Sequence, residues 1–340
     1  MSEIIGEYLD RLCTIEMRPG KSNLPRGVIH RLYAAARARV DRPLTLDMAQ
    51  ALYDTVGADD TVFIVTGAGG PPILPKGEVD GVPGAAALAR ALHFGLGAKI
   101  VILTEARVQE PVAAAVRAAG MNFRLSDEAE MNHAVTFIPT PIDDDPCRLQ
   151  AADLINAYRP RAVIAIEKLA PNRMGVIHGS TGLDYTPVHS KAHHLFDEAA
   201  KAGILTCGIG DGGNEIGFGV IPEAVADIMP AGRVCLCSCG SGSASATATD
   251  KFVVAAISNW GGYAVSAVLA YLLERPNILI NEGHLDRMIR ATVDAGAFDG
   301  AVGRPSLSDD GVQLPAHLAY ITMLRSIVSI ALSTLDSPGH

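Results

Sequence analysis

Residues 208–219 read GIGDGGNEIGFG, in which glycines space out Asp211, Asn214 and Glu215. Gly208 to Gly213 satisfy G-x-G-x-x-G, the spacing of a loop that cradles a dinucleotide pyrophosphate with backbone amides and a helix N-terminus. Asp211 lies inside that loop and Glu215 just past its end. Two carboxylates oppose a bare phosphate, so the spacing does not by itself indicate a nucleotide. A phosphate bridged to the acids by a metal remains compatible with it.

Other chemistry-bearing residues also follow apolar runs. After TVFIVT (61–66) come Gly67, Gly69 and Gly70 and then GEVDGVPG, which carries Glu78 and Asp80; Glu167 closes AVIAIE, and Ser258 and Asn259 follow FVVAAI. Ligands of open parallel sheets bind beyond the carboxyl ends of the strands, so these residues are expected along one edge. Any one of the acids can serve as a helix cap or a solvated charge, and Asp80 stands where it would cap a helix beginning near Pro83. Acids gathered on one rim repel unless protons or a cation relieve them. A divalent metal with oxygen ligands, magnesium or manganese and also calcium, is the simplest relief.

The elements that must hold these residues are legible as alternation. Nearly continuous apolar runs at 61–66, 99–104, 134–139, 162–167, 204–209, 233–238 and 252–257 have the pattern of strands covered on both faces. Helical patterns such as GAAALARALHFGL, VQEPVAAAVRAAG and SKAHHLFDEAAKAG lie between them. The fold class expected is α/β: a doubly wound, mostly parallel sheet with helices on both faces. Residues 1–45 read as a helical arm containing the loop RPGKSNLPRG, and 46–335 as a single α/β catalytic domain ending in helices near 284–295 and 315–335. The small-residue segment SCGSGSASATATD (238–250) reads as a flap, a site of close ligand approach or a connector.

Composition narrows the partners. Of 340 residues 49% are apolar and 19% charged, and 37 acids against 28 bases give a net charge of −9. This suits a globular chain and excludes the basic footprint that nucleic acid requires. MSEIIGEYLDRLCTIEMRPG carries acids and no long apolar run, so no signal peptide is expected. Phe252 to Leu273 carries no charge, but SNWGG in its middle argues for strand, turn and buried helix, and no membrane partner is expected. The six cysteines are expected as reduced thiols in the cytoplasm.

Cys235, Cys237 and Cys239 form a C-x-C-x-C run. On a strand, same-face residues sit roughly 6.5–7 Å apart. Zinc-bound sulfurs must approach to about 3.8 Å. The run is therefore read as small apolar side chains on one strand face. His189 and His193 are read as surface residues of an exposed helix start, and Lys76, Lys168 and Arg173 as cations available to a substrate carboxylate.

GIGDGGNEIGFG, GEVDGVPGAAALARAL and SNWGGYAVSAVL together resemble the D-glutamate cyclase C-terminal-domain family, and the similarity runs from RGVIHRLYAAARAR to DDGVQLP. The acidic loop departs from the family's usual E-T-D-G-P, with Val79 and Val82 in place of threonine and proline, and Phe218 stands where methionine is common. The resemblance implies a carbon–oxygen hydro-lyase that closes D-glutamate, or a related small amino dicarboxylate, to 5-oxo-D-proline with loss of water. In that setting Asp211, Glu215 and one or more of Glu78, Asp80 and Asp299 would hold the metal, with Asp211 essential to catalysis. Glu167 would take the ammonium proton, and Gly67, Gly69, Gly70, Asn214, Ser258 and Asn259 would position the substrate. The alternatives are a metal-dependent phosphatase acting on a small metabolite and a non-catalytic binder of acidic metabolites. A homo-oligomer is expected from the arm and the apolar composition.

Overall fold

The computed structural model describes residues 1–19 and 24–333. Residues 20–23 of the expected RPGKSNLPRG loop, and the last two of the helix expected at 315–335, lie outside the described residues.

Seven strands form one parallel sheet: β1 (Thr61–Thr66), β2 (Lys99–Glu105), β3 (Asn122–Leu125), β4 (Ala134–Thr140), β5 (Ala162–Ile166), β6 (Leu205–Gly210) and β7 (Lys251–Val254). Their order is β3-β4-β2-β1-β5-β6-β7, with Ile64 of β1 registered between Ile102 and Ile164. The chain leaves β1 toward one edge and later returns beside it at β5 to build toward the other. That reversal opens a crevice beyond the carboxyl ends of β1 and β5.

The helices are α1 (Ser2–Cys13), α2 (Val28–Arg37), α3 (Leu44–Thr55), α4 (Val82–Leu96), α5 (Gln109–Ala118), α6 (Asp144–Tyr158), α7 (His193–Lys201), α8 (Pro222–Ile228), α9 (Ser258–Leu272), α10 (Glu282–Asp294) and α11 (Leu314–Leu332). Strand side chains alternate between two cores. Val62, Ile64, Ile100, Ile102 and Ile164 pack into the larger core with α4, α9 and α10. Phe63, Val65, Val101, Leu103 and Val163 pack into the other with Ala151, Leu154 and Ile155 of α6 and Leu195, Phe196 and Ala199 of α7. Burial on both faces is why the runs are continuously apolar, and the doubly wound α/β class holds. Ile5, Leu9, Val28 and Leu32 of α1 and α2 join the larger core.

Two expectations need correction, and one strand was not expected at all. RVCLCS (233–238) forms turns and bends, not a strand. SNWGG is not a turn but the first turn of α9, whose start has no side-chain cap of its own. A carboxylate from elsewhere in the chain, Asp80, supplies the missing acceptors, as described below. The short strand β3 falls in a segment whose apolar content is too low to mark it. Among the described residues α11 is long and apolar enough to cross a membrane by length and composition, and Leu314, Tyr320, Ile321, Leu324 and Val328 along it join the core.

Candidate active site

Loops after β1, β5 and β6 meet in the crevice. The loop after β1 crosses so close to β5 that a Cβ on Gly81, whose φ is +89°, would lie 2.7 Å from the Cβ of Glu167 and 2.9 Å from Ile166 O. The loop after β6 turns back on its own strand, where a Cβ on Gly208 would lie 2.6 Å from Ile216 O. The glycines of GIGDGGNEIGFG thus permit a tight return of the chain, and the amide of Asp211 (2.8 Å) and that of Gly212 (2.6 Å) donate to Glu215 Oε1, not to a phosphate.

The meeting point is a cavity of about 300 Å³ whose lining includes Glu78, Glu167, Asp211, Asn214 and Asp310. Arg18, from the segment between α1 and α2, is the one Lys or Arg among its described lining residues. Its guanidinium donates to Asp211 Oδ2 and to Asp310 Oδ2. Burial alone would lower its pKa, but Asp211 and Asp310 more than offset this and hold it well above the ordinary arginine value.

Asp80 lies just beneath. Its Oδ1 accepts from Gly81 N (2.8 Å) and Asn259 N (2.7 Å), and its Oδ2 from Ser258 N (2.8 Å). It therefore caps α9 and not the helix that follows it in sequence, placing its charge at a helix N-terminus. Ser258 Oγ donates to Glu167 Oε2 at 2.6 Å. Glu167 has a φ of +48°, an uncommon backbone state for a residue with a Cβ, which turns its side chain into the crevice at the point where β5 ends.

Carboxylate oxygens of Asp80, Glu167 and Asp211 lie within 4.8 Å of one another, and so do those of Asp80, Asp309 and Asp310. Burial and crowding push Asp80, Glu167, Asp211 and Asp309 toward their protonated forms. Burial, then Glu215 and Asp211, raise Glu167 well above the carboxylate range. Burial likewise raises Asp211, aided by Asp310 and Asp80 and opposed by Arg18. Asp80 and Asp309 rise for the same first reason, and Glu78 is pushed up to about 8 by burial and then by Asp310. Glu215 Oε2 and Asp309 Oδ1 are buried without a hydrogen-bond partner. Carboxylate-only donors with orphaned oxygens fit a hard divalent cation, and nothing in the donor set favours a softer metal.

Other expected residues take different roles. Asp299 lies near Glu78, but Ala301 N and Val302 N saturate its Oδ1 while Ser308 Oγ and Gly311 N occupy its Oδ2, so the loop consumes it. Asn259 spends its amide on Gly84 N, Val79 O and Asp309 Oδ2, and with Ser258 it holds the acids in place without lining the cavity. Gly69 lines the cavity, whereas Gly67 and Gly70 do not; Gly67 O accepts from Lys168 Nζ at 3.1 Å. Asn214 lines the cavity while its Nδ2 donates to His178 O at 2.8 Å.

The expected substrate cations are engaged elsewhere: Lys76 pairs with Glu110, and Arg173 donates to Ser241 Oγ at 2.7 Å. Lys168 is fully buried, 2.7 Å from Glu105 Oε2. Glu105 is held well below its usual range despite its burial, because Lys168, His189 and Arg107 surround it. His189 is buried and precedes α7, which corrects its reading as a surface helix residue.

Arg18, Asp309 and Asp310 were not expected. Asp310 had a signal: Asp310-Gly311, with φ of +51° and +77°, is the two-residue turn of a hairpin between β8 (Ser308–Asp309) and β9 (Val312–Gln313). Arg18 had none, since it reaches Asp211 across 193 residues of chain.

Residues 26–325 match the family model described as D-glutamate cyclase-like, C-terminal, and the chain belongs to that family. It is also similar to the mitochondrial D-glutamate cyclase of Homo sapiens, at 25% identity over 291 residues, covering 75% of this chain and 43% of that protein. The chain thus spans less than half the length of this relative.

Proposed function

We propose that this chain is a D-glutamate cyclase-like hydro-lyase that closes a small amino dicarboxylate, D-glutamate first among them, into its five-membered lactam with loss of water. The observation that carries the reading is the charge pattern of the cavity: Glu78, Glu167, Asp211 and Asp310 face the same small space as Arg18. Carboxylates suit a substrate ammonium, and a guanidinium suits a substrate carboxylate. A volume of about 300 Å³ stands at the small end of ligand sites, which favours a compact metabolite. Family membership and the human relative support the same chemistry.

In lactam formation the ammonium loses two protons, and one oxygen of the γ-carboxylate leaves as water. Glu167 acts in its ionised form, which burial makes a strong base, and takes one proton from the ammonium to free the nitrogen lone pair. Glu78, pushed up to about 8, carries one proton near neutral pH for the departing oxygen, and the second ammonium proton passes to that same oxygen as the C–O bond breaks, so that it leaves as water. Arg18 orients the carboxylate that does not react, and holding amine and carbonyl in contact lowers the barrier to ring closure. Asp80, Asp309 and Asp310 would hold a divalent cation, whose contribution when bound is Lewis-acid polarisation of the reacting carboxylate.

The test is a panel in which D-glutamate, L-glutamate, D-aspartate and small phosphate esters are each offered with manganese and with chelator. Release of 5-oxoproline from D-glutamate supports the reading. Release of phosphate, or tight metal-dependent binding without turnover, would replace it with a phosphatase or a binder.

A further inference from the structure

The C-x-C-x-C run makes no strand, and this removes the geometric objection to a metal there. Residues 231–243 close on themselves: Ser243 N donates to Ala231 O at 2.9 Å, and a Cβ on Gly242 would lie 2.0 Å from Gly232 O. Inside this loop Cys235 Sγ is 3.4 Å from Cys237 Sγ and 3.3 Å from Cys239 Sγ. His178, fully buried on a different loop, brings its Nε2 to 3.2 Å from Cys237 Sγ and 3.7 Å from Cys239 Sγ. One donor atom from each of the four lies within 4.8 Å of the others. Tetrahedral zinc, with Zn–S of about 2.3 Å and Zn–N of about 2.0–2.1 Å, needs sulfurs about 3.8 Å apart and a nitrogen about 3.6 Å from each.

The surroundings do not explain this convergence as core packing. Val234 and Leu236, which alternate with the cysteines, are 67% and 73% exposed, so the loop turns its large apolar side chains outward and its thiols inward. The same loop is tied to the cavity wall. Leu236 N donates to Gly182 O at 3.0 Å, and Asn172 Nδ2 donates to Gly242 O at 2.7 Å with Cys239 Sγ at 3.5 Å. Directly after His178, Gly179, Ser180 and Thr181 line the cavity.

We propose that His178, Cys235, Cys237 and Cys239 bind one structural zinc ion that pins the 231–243 loop to the cavity wall. Three thiolates and an imidazole select a soft or borderline ion over magnesium, and four protein ligands leave no open position for substrate. This site is separate from the all-oxygen acidic cluster, and the inference stands whatever reaction that cluster performs.

The untagged 340-residue chain, made in zinc-supplemented medium and dialysed against chelator, tests it. Elemental mass spectrometry should find about one zinc per chain, as a closed four-ligand site requires. A mercurial thiol reagent should release that zinc, and Cys237→Ser and Cys239→Ser should each lose most of it. Because such variants can fail to fold, the wild-type chain loaded with cobalt supplies an independent readout. It should show the intense visible bands of tetrahedral cobalt together with thiolate-to-cobalt charge transfer. A folded wild-type chain with neither zinc nor thiolate–cobalt absorption would overturn the proposal. Zinc retained by a folded variant lacking all three cysteines would also overturn it, since the ion would then sit among the carboxylates.

Discussion

Glu78→Gln tests the electrostatics of the cavity. Burial and the neighbouring Asp310, Glu215 and Asp299 raise this carboxyl from an ordinary 4.5 to about 8. A group that binds its proton more tightly when folded stabilises the folded state fully below its unfolded pKa. That contribution is lost as pH rises through the folded value. The shift corresponds to about 5 kcal/mol at most, at about 1.36 kcal/mol per pKa unit. Glu78 is partly exposed, and solvent screening reduces the expectation to about 2–3 kcal/mol. Glutamine has similar size and cannot ionise. Urea unfolding in chelator should therefore show the wild type losing about 2–3 kcal/mol more than Glu78→Gln between pH 5 and pH 8.5, leaving the variant the more stable protein at high pH. Saturating manganese, held by Asp80, Asp309 and Asp310, should stabilise both proteins at pH 8.5, by about 2.7 kcal/mol at a hundredfold excess over each Kd. Parallel stability–pH curves for the two proteins would refute the reasoning, because Glu78 would then titrate alike folded and unfolded.

Further outcomes follow from the same geometry. Asp211→Asn loosens the hold on Arg18, which orients the substrate carboxylate, and should lower kcat by about a hundredfold, with circular dichroism and cooperative unfolding retained. Ser258→Ala removes the 2.6 Å hydrogen bond to Glu167, which favours the ionised carboxylate. The ascending limb of its pH–kcat profile should move to higher pH while KM changes little. Lys168→Met leaves Glu105 buried without its ammonium partner and should cost about 3–5 kcal/mol in urea unfolding. Adding Glu105→Gln should recover part of that loss.

The strands at β1, β2, β5 and β6 were legible because burial on both faces leaves continuous apolar runs, and the crevice followed from the rule that ligands sit beyond strand ends. Glu78, Asp80, Glu167 and Asp211 were placed near one another by that topology alone. What could not be read was how the polar side chains divide their work. Asp80, Ser258 and Asn259 satisfy one another across 178 and 179 residues of chain, and no local pattern encodes such pairing. The family resemblance implies Asp299 as a metal ligand, yet Ala301 N, Val302 N, Ser308 Oγ and Gly311 N already donate to its two oxygens. The cysteine run was misread because valine and leucine between thiols imitate a strand, while Gly232, Gly240 and Gly242 around them permit a closed loop. Arg18 came from a segment whose sequence gives no sign of the cavity.

If the acid-lined cavity is where an amino dicarboxylate is closed, chiral turnover tests it most directly. Wild type and Glu167→Gln, both supplied with manganese, are given D-glutamate, and 5-oxo-D-proline is quantified over time by chiral chromatography with mass detection. Wild type should form the D-lactam steadily, and Glu167→Gln should lose at least about a hundredfold, the scale of a missing general base. Equal rates in the two proteins, or no lactam from manganese-loaded wild type, would contradict it.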